Sequence, residues 1–215
     1  MGSNSAHYHL AEHALTQTPG DQRQALPEIP AGARSILDIG CGAGQTLLAC
    51  AQADRKSFGV DYDFEALQLA HSLRVPGCFS RASGEQLPFR SASFDFVYSR
   101  VALPYMKIPV ALAEIARVLQ PGGQVWFTLH PLTMLSWADA LSRPRKTVFE
   151  AYRLVNTAAL HFGASQIRYP LRRSRTESYQ TERGMRQALR NSGFEDVKIR
   201  RTAVHFVVTA RLKAC

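Results

Sequence analysis

Short apolar runs alternate with stretches of helical periodicity along the first 130 residues of this chain of 215. A helical stripe is formed by Ile115, Val118 and Leu119, and Pro121 is expected to end that helix. Alternation of strand and helix over this length predicts an α/β fold with a mainly parallel sheet. The strand candidates are residues 35–39, 56–60, 93–99 and 124–129.

A glycine-rich turn follows the first predicted strand, where residues 37–46 read LDIGCGAGQT. Gly40, Gly42 and Gly44 stand where the chain must turn sharply and a ligand could approach the bare backbone. A helix predicted over residues 44–53 would direct its first free N–H groups back toward this loop. The turn therefore indicates a pocket for a nucleoside-bearing cofactor.

Asp61 follows the second predicted strand, 19 residues after Gly42. At this spacing an acidic side chain can accept hydrogen bonds from both hydroxyls of a ribose. A dinucleotide-dependent oxidoreductase fits less well, because its fingerprint would place a glycine at Gln45.

Five motifs occur in order between Arg34 and Leu129: LDIGCGAG, GVDYD, SGEQLPF, SFDFVYS and RVLQPGG. Together with the C-terminal segments NSGFEDVKI and HFVVTARLK, they resemble the class I S-adenosylmethionine-dependent methyltransferases. The pattern is most similar to the type 11 group and to enzymes that methylate quinone precursors. The resemblance implies a Rossmann-like, mostly parallel seven-stranded sheet with helices on both faces. It also implies S-adenosyl-L-methionine as cofactor and S-adenosyl-L-homocysteine as product.

The resemblance carries cofactor roles onto particular residues. Asp38 is expected to orient the loop or hold the amino group, Asp61 to bind the ribose, and Tyr62 to lie against the adenine. The backbone of Gly84 and Glu85 is expected at the adenine edge. The implied cofactor-binding set is Asp38, Gly40, Gly42, Asp61, Tyr62, Ser83, Gly84, Glu85 and Ser99.

Ser83 departs from the family pattern, because many relatives carry Asp there to bind the exocyclic amine of adenine. That contact is left open here. Ser99 and Arg100, at the end of the fourth strand, are expected near the transferred methyl group and the acceptor.

About fifty residues separate the predicted fifth strand from the C-terminal helix at Thr181, too many for a simple connection. Residues 146–162 have helical spacing, and we predict a cap helix there, over the carboxyl edge of the sheet. We expect one domain made of an N-terminal helical lid (1–33), a cofactor-binding core (34–130), a cap insertion (131–180) and a C-terminal helix and strand pair (181–215).

Methyl transfer from a sulfonium is an in-line displacement, so alignment alone can supply much of the acceleration. A base would help an acceptor that must lose a proton, and His130 is the first candidate, with Tyr105 the second. Alternatively, His130 is a buried histidine with a purely structural role. The histidines of the lid are weaker candidates, more often solvated; they are His7, His9 and His13. The predicted acceptor-binding residues are Tyr8, Arg100, Tyr105 and His130.

The net charge of +9 is uneven, because residues 143–215 carry +11 and residues 1–142 carry −2. Either this is a solvated basic face or it serves an anionic partner, such as a carboxylated or phosphorylated substrate, an acidic carrier domain, a membrane surface or RNA. The segment SRVALPY after the fourth strand lacks the signatures of enzymes that methylate planar amines or bases, which disfavours nucleic acid.

Three classes of function stay open at this point. They are methylation of a small-molecule acceptor on O, N or C, methylation of RNA or protein through the basic face, and cofactor binding without transfer. The four cysteines show no metal-ligand spacing, so we expect no metal. No apolar run approaches the ~20 residues of a membrane span, and the start lacks a secretory leader, so a cytoplasmic location is expected.

Overall fold

The computed structural model describes residues 10–12, 25–163, 165–169, 176–202 and 206–214. Seven strands form one sheet in the order β3-β2-β1-β4-β5-β7-β6. Strand β7 runs antiparallel to the other six strands, which are parallel to one another, and this confirms the predicted mostly parallel sheet. The strands are β1 (Ser35–Ile39), β2 (Lys56–Asp61), β3 (Cys78–Arg81), β4 (Phe94–Arg100), β5 (Leu119–Leu129), β6 (Phe194–Arg201) and β7 (Phe206–Leu212).

Helices cover both faces of the sheet, as predicted. They are α1 (Gln45–Ala49), α2 (Phe64–Ser72), α3 (Ile108–Val118), α4 (Trp137–Ala140), α5 (Pro144–His161) and α6 (Glu182–Asn191), with 3₁₀ turns at Leu103–Tyr105 and Leu132–Met134.

The core consists of two apolar clusters, one on each side of the sheet. Successive side chains of a strand point to opposite faces, so Leu37 enters one cluster and Ile36 the other. Leu112 of α3 and Leu189 of α6 pack into the first cluster, while Leu47 of α1 packs into the second. Burial on both faces explains why the central strands read as nearly continuous apolar runs.

The largest differences from the predicted boundaries are at the end of α1, the end of α3 and the start of β5. Helix α1 ends at Ala49 rather than at residue 53, and the guanidinium of Arg55 donates to the carbonyl of Cys50, 3.3 Å away, just beyond its end. Helix α3 ends at Val118, three residues before Pro121, because Leu119 already adopts extended backbone and pairs with Phe94. The strand predicted from residue 124 therefore begins at residue 119.

The insertion after β5 contains the predicted helix, now bounded as α5. The chain that follows α5 returns to the sheet, because the backbone N–H of Gln180 donates to the carbonyl of His130 at 2.8 Å and that of Ser178 donates to the carbonyl of Pro104 at 3.3 Å. These contacts place the returning segment at the carboxyl ends of β4 and β5, on which a cap would have to rest.

Polar side chains join α5 to this returning segment. The Asn156 amide donates to the carbonyls of Ile167 and Glu177, and the Tyr152 hydroxyl accepts from the backbone N–H of Glu177. The N-terminal lid falls mostly outside the described residues, including Tyr8, His7, His9 and His13; residues 10–12 are helical. Among the helices that the structure describes, none has both the length and the apolar character to span a bilayer.

Candidate functional site

The glycine loop after β1 turns through backbone conformations that suit glycine. Gly40 and Gly42 have φ of +73° and +54°. The N–H groups of Gly40 and Cys41 both donate to the carbonyl of Val60, which fastens the loop to the end of β2. A β-carbon on Gly40 would lie 2.1 Å from that of Ala102, so no larger residue fits there without displacement.

The carboxylate of Asp61 faces this loop from the end of β2. One of its oxygens accepts from the backbone N–H of Gly42 at 2.7 Å, and the other accepts from that of Asp63 at 2.8 Å. Because β1 and β2 are parallel and adjacent, the end of β2 lies beside the turn that follows β1. The predicted ribose residue and the predicted loop are thus brought together.

Asp38 is buried at the end of β1, with 1% of its surface exposed. Burial raises the pKa of its carboxyl to about 8, the nearby Arg100 acts to lower it, the Asp61 charge raises it further, and the neighbouring Tyr98 hydroxyl lowers it. Its Oδ1 has no hydrogen-bond partner among the described residues, and neither does the buried Oε1 of Gln45. Two buried acceptor oxygens beside one loop suit a ligand group that carries N–H donors.

The residues predicted for the adenine lie further along the same edge. Tyr62 is 67% exposed, and the guanidinium of Arg81 lies 5.4 Å from its ring centroid. The Ser83 hydroxyl accepts from the N–H of Glu85 at 3.2 Å and so stabilises its own turn. Gly84 is packed so closely that a β-carbon would lie 2.7 Å from the sulfur of Met106.

Two of the predicted side chains have structural partners. The Glu85 carboxylate accepts from the N–H of Lys107 at 3.0 Å and pairs with Arg168 at 3.1 Å. The Ser99 hydroxyl is fully buried and donates to the carbonyl of Ile39 at 2.8 Å, which ties β4 to the end of β1.

Arg100 ends β4, and its side chain is only 8% exposed. It forms an ion pair with Glu12 of the N-terminal helical residues. Val101 follows it with φ of +63°, which is strained for a β-branched residue, and its N–H donates to the Thr128 hydroxyl at 2.9 Å.

Tyr105 and His130, predicted separately, meet in space. Their ring centroids lie 5.6 Å apart at an interplanar angle of 88°. His130 is 6% exposed, and both its backbone N–H and its carbonyl bind Gln180. Tyr105, 42% exposed, lies on the open side of the pair.

Three residues that the sequence analysis missed complete this edge. The sequence pattern drew attention to Gln45 only because a dinucleotide-binding fingerprint would have a glycine there. Glu12 fell within the predicted lid without a role of its own, and Gln180 was not predicted as a site residue. The position of Gln45 directly after the glycine loop, at the start of the predicted helix, is a signal that could have indicated it. Nothing local points to Glu12 or Gln180, because their partners lie 88 and 50 residues away.

Cysteines and acidic clusters add no further chemistry to the described part of the chain. Cys41, Cys50 and Cys78 are free thiols, and burial raises the pKa of Cys41 well above its usual range. Residues 10–12, 25–163 and the later described segments contain no group of three or more His, Cys, Asp or Glu side chains that could hold a metal ion.

A seven-stranded sheet of this order, with a glycine loop after β1 and an acidic residue ending β2, defines a Rossmann-like nucleotide-binding domain. Residues 37–127 match the family described as a methyltransferase domain. This stretch is 91 of the 215 residues, and over it the prediction of a methyltransferase domain is confirmed.

Curated relatives match about half of the chain. A malonyl-[acyl-carrier protein] O-methyltransferase of Erwinia pyrifoliae is 33% identical over 118 residues, which are 54% of this chain and 45% of that protein. The enzyme of the same name from Herminiimonas arsenicoxydans is 36% identical over 107 residues, 49% of this chain and 40% of its own. The chain thus spans about half the length of the curated relatives it matches.

Solved structures share the fold over a larger part of the chain. An S-adenosylmethionine-dependent methyltransferase of Methanosarcina mazei superposes with a TM-score of 0.60 at 21% identity, covering 87% of this chain and 95% of that one. Human N-acetylserotonin methyltransferase, solved with S-adenosylmethionine, gives 0.66 at 16% identity, covering 100% and 57%.

S-adenosylmethionine is the cofactor of this family, and the residues of the site fit it. The buried Oδ1 of Asp38 and Oε1 of Gln45 have no hydrogen-bond partner among the described residues, which fits an amino group of the cofactor that carries N–H donors. Each oxygen of the Asp61 carboxylate accepts one backbone N–H and keeps capacity for a further donor, which fits a ribose hydroxyl.

Proposed function

We propose that this protein transfers a methyl group from S-adenosylmethionine to a small-molecule acceptor, which binds between the carboxyl ends of β4 and β5 and the cap formed by α5. One observation carries this proposal: Asp38 and Asp61 lie at the same edge of the sheet as Arg100 and His130, at the carboxyl ends of the adjacent strands β2, β1, β4 and β5. Parallel α/β sheets bind their ligands at this edge.

Each cofactor residue has a definite task in this proposal. Asp61 accepts hydrogen bonds from the ribose, Asp38 and Gln45 accept from the amino group of the methionine part, and the backbone of Gly40 and Gly42 lies against that part. Tyr62, exposed at the rim, lies against the adenine. When bound, the cofactor supplies an electrophilic methyl group on a sulfonium.

Tyr105 and His130 form the acceptor side of the pocket. An imidazole at this place can take a proton from a hydroxyl or an amine of the acceptor, and the Tyr105 ring packs against it at nearly a right angle. A His130→Ala enzyme with an unchanged rate on its acceptor would exclude the base role.

Titration calorimetry tests cofactor binding directly. Purified protein is titrated with S-adenosylmethionine and separately with S-adenosylhomocysteine, and both titrations are repeated with Asp61→Ala. We expect saturable binding that weakens by on the order of 100-fold in the variant, since two charge-assisted contacts are lost. Asp54→Ala is the matched control, because Asp54 is a 68% exposed carboxylate whose partner is Arg34. Absence of binding by folded wild-type protein would refute the proposal.

An acceptor attached to an acidic carrier domain is the second candidate. The relatives named as malonyl-[acyl-carrier protein] O-methyltransferases support it, and so does the basic surface near the site. Arg201, paired with Glu182 of α6, lies opposite Phe206 of β7, which in turn pairs with Leu129 of β5. The end of β6 and the start of α6 therefore share the edge where the acceptor is proposed to bind.

The salt dependence of acyl carrier protein binding distinguishes a carrier-bound acceptor from a free small molecule. Arg183 and Lys198 are exposed and make no ion pair within the described segments. If an acidic carrier docks here, the double variant Arg183→Ala/Lys198→Ala should weaken binding of an acyl carrier protein about tenfold at low salt and flatten its salt dependence. Arg190→Ala, on the last turn of α6 at the opposite edge of the sheet, is the control. An unchanged, salt-independent response leaves the free small molecule as acceptor.

A further inference from the structure

The acceptor side of the proposed site contains a buried, positively charged arginine side chain. The side chain of Arg100 is 8% exposed, and such a charge is kept inside a protein only with a partner. In this structure the partner is the carboxylate of Glu12, which lies 88 residues earlier in the chain and is 21% exposed. The pair joins the N-terminal residues to the carboxyl end of β4.

Glu12 does not use the whole guanidinium. The Nε of Arg100 is buried and has no hydrogen-bond partner among the described residues. An arginine can offer five N–H donors in a planar fork, which matches both oxygens of a carboxylate. A buried donor without a partner is costly, so Glu12 does not satisfy this guanidinium, whereas a carboxylate that binds in its place through both oxygens would.

The backbone holds Arg100 in position at some energetic cost. Val101 has φ of +63°, and its N–H is held by the hydroxyl of Thr128, the neighbouring position on β5. Strain of this kind persists where the surrounding structure enforces it, and it concentrates at binding sites. Asp38 acts on the same guanidinium, but its carboxyl has a raised pKa and gives up part of its charge near neutral pH.

We propose that Arg100 anchors a carboxylate of the acceptor, and that Glu12 occupies this place when no acceptor is bound. The proposal rests on the proposed function and adds the substrate class. One guanidinium balances one negative charge, which suits a monoanionic carboxylate better than a phosphate with a charge near −2. Because Glu12 is itself a carboxylate, the structure already shows that such a group fits. The acceptor must displace it, so Glu12 weakens acceptor binding.

The test uses the full chain saturated with S-adenosylhomocysteine. Three monocarboxylates serve as probes, namely monoethyl malonate, butyrate and 4-hydroxybenzoate, each beside its neutral ester. Saturation-transfer NMR detects weak binding, and a titration gives the affinity. Binding of at least one acid, with its ester tenfold weaker or worse, is expected. Arg100→Gln should remove that preference, Arg100→Lys should restore only part of it, and Glu12→Gln should tighten acid binding about tenfold by removing the competing carboxylate.

Arg34→Gln is the matched control, because Arg34 also pairs with a carboxylate, Asp54, but at an exposed position away from the site. It should bind every probe as the wild type does. Binding of S-adenosylhomocysteine, measured in each variant, distinguishes two failures. If the cofactor product binds but acids and esters bind equally, or Arg100→Gln changes nothing, the carboxylate anchor is wrong and the proposed function stands. If the product does not bind to folded wild-type protein, the proposed function itself fails.

Discussion

The two sides of the candidate site are built in different ways. On the cofactor side, Asp61 binds the backbone of Gly42, 19 residues earlier, and of Asp63, two residues later. On the acceptor side, Arg100 binds Glu12 across 88 residues, and His130 binds Gln180 across 50. The cofactor side thus relies on turns and backbone groups within one βαβ unit, whereas the acceptor side is assembled from segments that are distant in sequence.

Substitutions on the two sides should therefore affect different properties of the protein. A change in the glycine loop affects the turn itself and should affect folding and cofactor binding together. A change on the acceptor side removes one contact between segments that are not part of the loop, and it should leave cofactor affinity nearly unchanged. Four variants test this separation.

Gly40→Ala is expected to have the largest effect. A β-carbon there would lie 2.1 Å from that of Ala102, and the φ of +73° is unfavourable for alanine. We expect a loss of about 3 kcal/mol or more in the free energy of unfolding, with loss of S-adenosylhomocysteine binding. Thermal unfolding and calorimetry measure both. Gly32→Ala is the control, because nothing lies within 4 Å of its β-carbon. Wild-type behaviour of Gly40→Ala would show that the loop does not need this conformation.

Gln180→Leu should affect the acceptor side alone. It leaves the buried N–H of His130 without the acceptor that it now has at 3.0 Å. The expected cost is about 2 kcal/mol, or roughly 4–8 °C in Tm, with cofactor affinity changed less than twofold. Gln52→Leu, at an exposed position, serves as the reference. A large loss of cofactor affinity in Gln180→Leu would show that the two sides are coupled.

Binding of the cofactor product should release the proton that the Asp38 carboxyl holds. Its pKa is raised from 3.8 to about 8 in the folded protein, so the folded state holds a proton at pH 7 that the unfolded chain has released. The contribution of Asp38 to stability is therefore fully present below about pH 4 and is lost as the pH rises through about 8. An ammonium group beside Asp38 favours the ionised form, so binding of S-adenosylhomocysteine at pH 7 should release up to about one proton.

Calorimetry at pH 7 in buffers of different ionisation enthalpy counts these protons. Asp38→Asn should abolish the release and weaken binding about tenfold, since one charge-assisted contact is lost. Asp54→Asn should retain both properties of the wild type. Equal proton release by Asp38→Asn and the wild type would assign the protons to another group.

Ser83→Asp should have the smallest effect. The Ser83 hydroxyl accepts from the N–H of Glu85 at 3.2 Å, and an aspartate can take over this role while offering a second oxygen to the adenine amine. We expect affinity for S-adenosylhomocysteine to rise about threefold, a fraction of one hydrogen bond. Ser83→Ala should lower it slightly. Weaker binding by Ser83→Asp would place the adenine away from this turn.

Most of the fold and the cofactor side could be predicted from the sequence, because local chemistry determines them. The apolar runs gave the central strands, the glycines of the loop have the positive φ that their spacing required, and Asp61 lies where the end of β2 meets that loop. The end of α3 was less predictable. The helical stripe of apolar residues continues through Leu119, but Leu119 pairs with Phe94 in the sheet, so the helix ends at Val118 and β5 begins at Leu119.

Only the tertiary structure decided the pairing of Glu12 with Arg100, the binding of His130 to Gln180 and the raised pKa of Asp38. Each depends on burial or on a partner far away in the chain, and neither property is encoded in the residues beside it. The sequence by itself determined that a nucleoside cofactor should bind, because glycine conformations and strand ends are local properties. The acceptor side required the fold, because a buried charge acquires its partner only when distant segments pack together.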